Sequence, residues 1–299
     1  MVIGSGPAGL ECARALGQRG YPVSLLEAGN ELGGRVLRES ALPGLNEWRR
    51  VIDWRLTQIG KFKNVKVYPS SRMTADEILE TGVPNIIVAT GARWRRDGIG
   101  RTLWKPIPGY DLQEIFTPDD LMDNVTSSKG NLPTGRVVVY DDDHYYMGGV
   151  LAELLALKGA SVTIVTPAPL VSYWSQFTLE QERIQRNLEK FGVKIYVQHI
   201  LKSISSNSVN ISSTLTSDVL DLESEAVVLV TDRNSNDQLF YQLKPALDDE
   251  RLRSLRLIGD AEAPNIIAQA VFSGHLAARE FEEPLVKDTP FKVERVSLA

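Results

Sequence analysis

The chain has 299 residues, 43% of them hydrophobic, and a formal net charge of -5, enough for two ordinary domains that each bury a core without staples. Its charges are scattered rather than gathered into runs, so no basic stripe invites nucleic acid or anionic lipid, and no apolar run approaches the ~20 residues of a membrane span. The N-terminus lacks the charged region and cleavage site of a signal peptide, and a cytoplasmic protein is expected.

The first predicted elements are a strand over residues 1–3, a loop, a helix over about 8–19 and a strand over 23–27, a βαβ unit with a right-handed crossover. In the loop GSGPAG, Gly4, Gly6 and Gly9 follow a strand and open a helix, so backbone N–H groups and the helix's positive end can face a pyrophosphate, with Ser5, Pro7 and Ala8 in the same turn. Glu27 ends the next strand, 23 positions after Gly4, where an acid accepts hydrogen bonds from the hydroxyls of an adenosine ribose. The bland alternative is a tight turn that binds nothing. Ala28 follows Glu27, and the paired Gly33 and Gly34, leading into Arg35, permit a backbone to approach a bound nucleotide; alone they would be only a turn.

A helix is expected over about 47–61, and NIIVATGARW supplies a buried strand over 86–89 in which Ala89 runs into Thr90 and Gly91. Beyond a Pro- and Gly-rich stretch at 105–109 and a polar linker at 126–135, a second βαβ pattern appears as RVVVYDDD, GGVLAELLALKG and ASVTIVT. EAVVLVTD closes that unit, and LRLIGDAEAP with NIIAQAVFSGHLAAREFEE returns to strand then helix. Gly259 and Asp260 end this last strand as Thr90 and Gly91 end the earlier one; Asp260 either bonds a sugar or ribityl hydroxyl or caps the following helix. The expected architecture is α/β, two doubly wound Rossmann-like domains with the second inserted into the first: 1–131 and 233–299 for the nucleotide, 132–232 for the insertion.

Cys12 is the only cysteine, so the chain offers no internal disulfide, Cys-x-x-Cys pair or cysteine-ligated cluster. His144, His199 and His275 are far apart with no carboxylate at ligand spacing, and no metal site is assigned. The second unit departs from a working dinucleotide site. Asp141, Asp142 and Asp143 stand where a glycine-rich loop belongs, followed by His144, Tyr145, Tyr146 and Met147, with Gly148 and Gly149 late. Three carboxylates repel a pyrophosphate, so NAD(P)H is not expected; the acids themselves read as solvated turn residues. The five tryptophans read mostly as packing residues.

GSGPAGLE, Glu27, ATG and IGDAEAP together resemble the two-dinucleotide-domain flavoproteins of the glutathione reductase type. LGGRV, ALPGLNEW, MTADEIL, IIVATGARW, FTLE, LIGDAEAP and GHLAARE more closely resemble the C-terminal half of the trimethylamine, dimethylamine and histamine dehydrogenases, relatives of dienoyl-CoA reductase. The resemblance spans nearly the whole chain. It implies ADP at the first site, as in the amine dehydrogenases, or FAD, as in dienoyl-CoA reductase. It also implies an FMN-bearing barrel with a 4Fe–4S cluster that this sequence does not contain, and an electron-transferring flavoprotein as acceptor. The chain is therefore expected to be a segment of a longer polypeptide, or a subunit without its catalytic half, and not catalytic alone. The rivals are a freestanding FAD-dependent NAD(P)H oxidoreductase and a docking scaffold with a structural nucleotide.

Overall fold

The computed structural model describes residues 1–282 apart from 113, 128, 129 and 217, so the expected continuation of the first domain through 283–299 lies outside the described residues. Five parallel strands form the first sheet in the order Ser254–Leu257, Asn85–Val88, Val2–Ile3, Val23–Leu26, Val65–Tyr68. Val2, Leu25 and Ile87 pack one face with the helices Pro7–Gln18 and Ile267–Arg279, while Ile3, Ile86 and Val88 pack the other with Ile78 and Leu243. Burial on both faces explains why these strands read as continuous apolar runs rather than alternating ones. Strand order reverses at Val2–Ile3, with its successor on one side and Asn85–Val88 on the other. The turns leaving those two neighbours diverge at a carboxyl edge, where α/β sheets open a crevice.

Pro7 starts the first helix with a φ suited to that position, and Gly6 caps it in extended conformation without any side-chain hydrogen bond. The run NIIAQAVFSGHLAARE forms its partner, Ile267–Arg279, and small residues set the spacing between them. A Cβ on Gly274 would lie 2.1 Å from the carbonyl oxygen of Ala8, so the two backbones touch there. The helix expected over 47–61 is a 3-10 turn, Asn46–Trp48, running into an α-helix, Arg49–Ile59.

The second sheet repeats the order of the first: Ile115–Phe116, Ala226–Val230, Arg136–Asp141, Ser161–Thr166, Lys194–Val197, all parallel. The helices Tyr146–Leu157 and Gln181–Lys190 cover one face. A three-stranded antiparallel sheet, His199–Ile204 with Ser208–Ser213 and Val219–Glu223, covers the other.

The chain passes between the two units through the antiparallel pair Ala92–Trp94 and Arg233–Ser235. Ile115–Phe116 already belongs to the second sheet, and Leu121 and Met122 of the helix Pro118–Thr126 sit in its core with Val228 and Val230. The insertion thus draws on chain well ahead of residue 132, where the sequence suggested its start. The polar stretch at 126–135 falls in sequence between two elements of the second unit, the helix Pro118–Thr126 and the strand Arg136–Asp141, so it does not join one unit to the other; polar composition marks surface exposure, which a connection within a domain shares with a linker.

Candidate functional site

A cavity of about 1040 Å³ lies along the carboxyl edge of the first sheet. It runs from residues 71–76, which follow the edge strand Val65–Tyr68, past the loop at 4–8 to Asp260, which follows the opposite edge strand. Gly4, Ser5, Gly6, Pro7, Ala8, Glu27, Ala28, Gly34, Arg35, Ala89, Thr90, Gly91 and Asp260 all line it. Gly9, Gly33 and Gly259 do not, and instead shape its walls. A Cβ on Gly9 would sit 1.9 Å from the carbonyl oxygen of Gly4, so only glycine lets helix and strand meet. Gly33 N–H donates to Ser5 Oγ at 3.4 Å, and Gly259 N–H donates to Ser273 Oγ at 2.9 Å, tying the last turn to its helix.

Gly6 is glycine for a different reason. Nothing lies within 4 Å of the place its Cβ would take, and its backbone (φ -67°, ψ -178°) suits any residue. The protein needs no glycine there; the open space lies on the cavity side, at a helix terminus whose first N–H groups lack partners within the helix.

Glu27 is held from both sides. Oε2 accepts from Ser5 N–H at 3.0 Å and Ser5 Oγ at 2.6 Å, and Oε1 accepts from Gly29 N–H at 2.8 Å. A carboxylate offers about four acceptor positions, so the group keeps capacity for a hydroxyl in the cavity.

Asp260 closes the far end. Oδ2 lies 3.2 Å from Arg35 and 3.0 Å from Arg233, and Oδ1 accepts from Asn265 N–H at 3.1 Å. Its two alternatives from sequence, sugar ligand or helix cap, are thus joined by a third, the acceptor of an ion-paired arginine. Arg35 also binds Glu39, which is fully buried, at 2.7 Å, and Tyr146 of the second unit donates its hydroxyl to the same Glu39 oxygen. Burial opposes the charge on Arg35, but the carboxylates of Glu39 and Asp260 outweigh it and keep the guanidinium protonated.

Sequence reading missed the other end of the cavity, residues 71–76 with Gln238, Leu239 and Gln242. The strand VKVY and the box in which Thr74 Oγ1 accepts from Glu77 N–H, while Glu77 accepts from Thr74 N–H at 2.7 Å, were the available signals.

The corresponding edge of the second sheet is filled by protein. Asp141 and Asp142 are fully buried and Asp143 nearly so, which corrects the expectation of solvated turn acids. Asp142 accepts from Thr102 N–H at 2.8 Å and Thr102 Oγ1 at 2.7 Å, and lies 3.1 Å from His144 Nε2. The covering loop comes from forty residues upstream, which no local pattern could announce. Gly100 packs so tightly there that a Cβ would meet Asp142 Oδ2 at 2.5 Å. Burial pushes the Asp141 carboxyl up to about 7. Among the described residues no group of three or more His, Cys, Asp or Glu could hold a metal ion, and no helix is long and apolar enough to cross a membrane.

The profile of the family described as pyridine nucleotide-disulphide oxidoreductase matches residues 1–253. The chain belongs to that family. Within it, the chain is 34% identical over 95% of its length to dimethylamine dehydrogenase of Hyphomicrobium sp. (strain x). It superposes on histamine dehydrogenase from Rhizobium sp. 4-9 with a TM-score of 0.94 and 44% identity over the whole chain. It also superposes on 6-hydroxypseudooxynicotine amine oxidase from Pseudomonas geniculata N1, with a TM-score of 0.90 and 42% identity over 94% of the chain. It spans 41%, 46% and 41% of these three proteins respectively, so each carries a larger polypeptide than the part matched here. The resemblance to part of the amine dehydrogenases therefore holds, and the family implies a flavin cofactor.

The tryptophans divide. Trp48 packs edge-on against Tyr146 with ring centroids 4.5 Å apart, and Trp94 is buried beneath the Arg233 guanidinium. Trp54, half exposed, carries the guanidinium groups of Arg14 and Arg55 over its ring at 5.4 and 5.5 Å, whereas Trp104 is 85% exposed.

Proposed function

We propose that this chain is the adenine-nucleotide-binding part of an amine-dehydrogenase-like flavoprotein oxidoreductase of the cytoplasm. It holds ADP or FAD in the cavity of the first sheet and supports electron transfer from FMN and 4Fe–4S centres carried by a barrel outside this sequence, with an electron-transferring flavoprotein as acceptor. One observation carries the reading: a cavity crosses the carboxyl edge of the sheet at its switch point, with an uncapped helix N-terminus at its centre and Glu27 beside it. The site residues are those that line or shape it: Gly4, Ser5, Gly6, Pro7, Ala8, Gly9, Glu27, Ala28, Gly33, Gly34, Arg35, Ala89, Thr90, Gly91, Gly259 and Asp260. The adenine lies toward residues 71–76, the ribose on Glu27 and the diphosphate over Gly6.

Between the two ligands, the Arg35–Asp260 ion pair favours ADP. It joins the far walls of the cavity beyond the diphosphate position, where the ribityl chain of FAD would have to pass. ADP leaves the pair intact and places its terminal phosphate next to Arg35. No NAD(P)H site is assigned to the second sheet, whose edge is occupied by Asp141 to His144 and the Thr102 loop. The test is the absorbance spectrum of the purified protein with chromatography of the nucleotide it releases on denaturation. Colourless protein releasing ADP supports the reading. A flavin band bleached by NADH replaces it with a freestanding NAD(P)H oxidoreductase.

A further inference from the structure

The motif FTLE, which carries part of the resemblance yet lies far from the nucleotide cavity, forms the end of the 3-10 segment Tyr173–Thr178 and its cap, Leu179. Phe177 is 86% exposed and Leu179 93%. Leu179 and Ser172, at the two ends of the segment, both take left-handed backbone conformations (φ +61° and +51°), which non-glycine residues avoid. A strained turn that presents two bare apolar side chains to water has no account within this chain. The patch extends beyond them. Trp174, partly exposed, packs edge-on against Tyr145 with centroids 5.3 Å apart, and the Arg101 guanidinium lies 4.6 Å over its ring. Arg101 belongs to the same loop as Trp104, whose ring is 85% exposed.

We infer that the face built from Phe177, Leu179, Trp174 and the Arg101–Trp104 loop is a docking surface, and that its occupant is the polypeptide that makes up the rest of an amine-dehydrogenase-like enzyme. The inference rests on the reading of this chain as one part of such an enzyme. More than half of the histamine dehydrogenase chain lies outside the match, although the fold inside the match is the same from end to end. Phe177, Leu179 and Trp104 keep most of their surface open, so the area on offer comes chiefly from them, an aromatic side chain burying about 150–250 Å² when fully covered. Exposed clusters of large apolar side chains mark interaction sites. The occupant faces the patch with an apolar surface and, opposite Arg101, an acidic or carbonyl group.

The test uses a chimera in which this 299-residue chain replaces the matching part of histamine dehydrogenase, made with and without Phe177→Glu and Leu179→Glu together. The same pair of substitutions is made in the chain alone. Both side chains are solvent-exposed in the chain alone, so there the substitutions leave thermal midpoint and ADP affinity unchanged. In the chimera they lower the midpoint by several degrees and open the junction to protease. A loaded chimera indifferent to the substitutions overturns the inference and leaves the underlying reading standing. A chimera that takes up no flavin and oxidises no histamine overturns both. If the chain alone forms a dimer that the substitutions dissociate, a second copy is the occupant and the inference falls.

Discussion

Ser5 gives two hydrogen bonds to one oxygen of Glu27: its backbone N–H at 3.0 Å and its hydroxyl at 2.6 Å both reach Oε2. The glycine loop and the end of the second strand are thereby clamped together across 22 residues of sequence. Glu27→Ala removes the clamp along with the proposed ribose acceptor. ADP affinity should fall by about 1–3 kcal/mol, the scale of a hydrogen bond to a charged group. Calorimetric titration checks it, and a mutant that binds like the parent would make Glu27 a structural acid only.

Gly6 and Gly9 are glycines for different reasons, and alanine separates them. Gly6→Ala meets no protein atom within 4 Å and should fold with an unchanged thermal midpoint while ADP binding drops at least tenfold, because the methyl enters the proposed diphosphate position. Gly9→Ala drives a Cβ into the Gly4 carbonyl and should destabilise the fold by about 1–3 kcal/mol or more. Paired thermal melts and titrations decide it; equal effects of the two on stability would refute the distinction.

Asp141 makes stability depend on pH. Burial, with Asp143 and Asp142 adding to it against His144, raises its carboxyl to about 7 from a reference of 3.8. Between roughly pH 4 and 7 the folded chain therefore keeps a proton that the unfolded chain has released, so this group's contribution to stability declines as pH rises through that window and is gone above it. Asp141→Asn imitates the protonated form and preserves the oxygen that accepts from His144 N–H. Its melting temperature should exceed that of the parent by a few degrees at pH 8 and match it near pH 4. Parallel pH profiles for the two proteins would show that Asp141 does not titrate in this range.

NADH should not bind the chain at micromolar concentration once ADP fills the first cavity. The second sheet's switch point presents buried carboxylates and the Thr102 loop where a pyrophosphate needs converging N–H donors and close backbone approach. Affinity at best near millimolar, on the order of -4 kcal/mol, is expected in a titration of NADH into ADP-saturated protein. A micromolar isotherm there would reopen the NAD(P)H oxidoreductase reading.

The sequence by itself determined the elements that local rules control. The βαβ entry, the glycine turn opening on a helix, Glu27 at the next strand's end and the recurrence of strand-then-turn at Thr90 and Gly259 are each written within a few residues, because turn chemistry and strand periodicity act at short range. The tertiary structure decided what depends on distant chain. It buried Asp141 to Asp143, which composition reads as surface acids; Gly100 and Thr102 come from another part of the fold to cover Asp142, and Thr102 supplies two of the hydrogen bonds that Asp142 accepts. It placed Ile115–Phe116 in the second sheet, since membership of a sheet is fixed by partners such as Val227 and Val228 rather than by the polar composition of the sequence that follows. It also turned Arg35 and Asp260 into an ion pair across the cavity. Each was legible as a candidate alone, but 225 residues separate them, and only folding brings opposite charges so far apart in sequence to 3.2 Å.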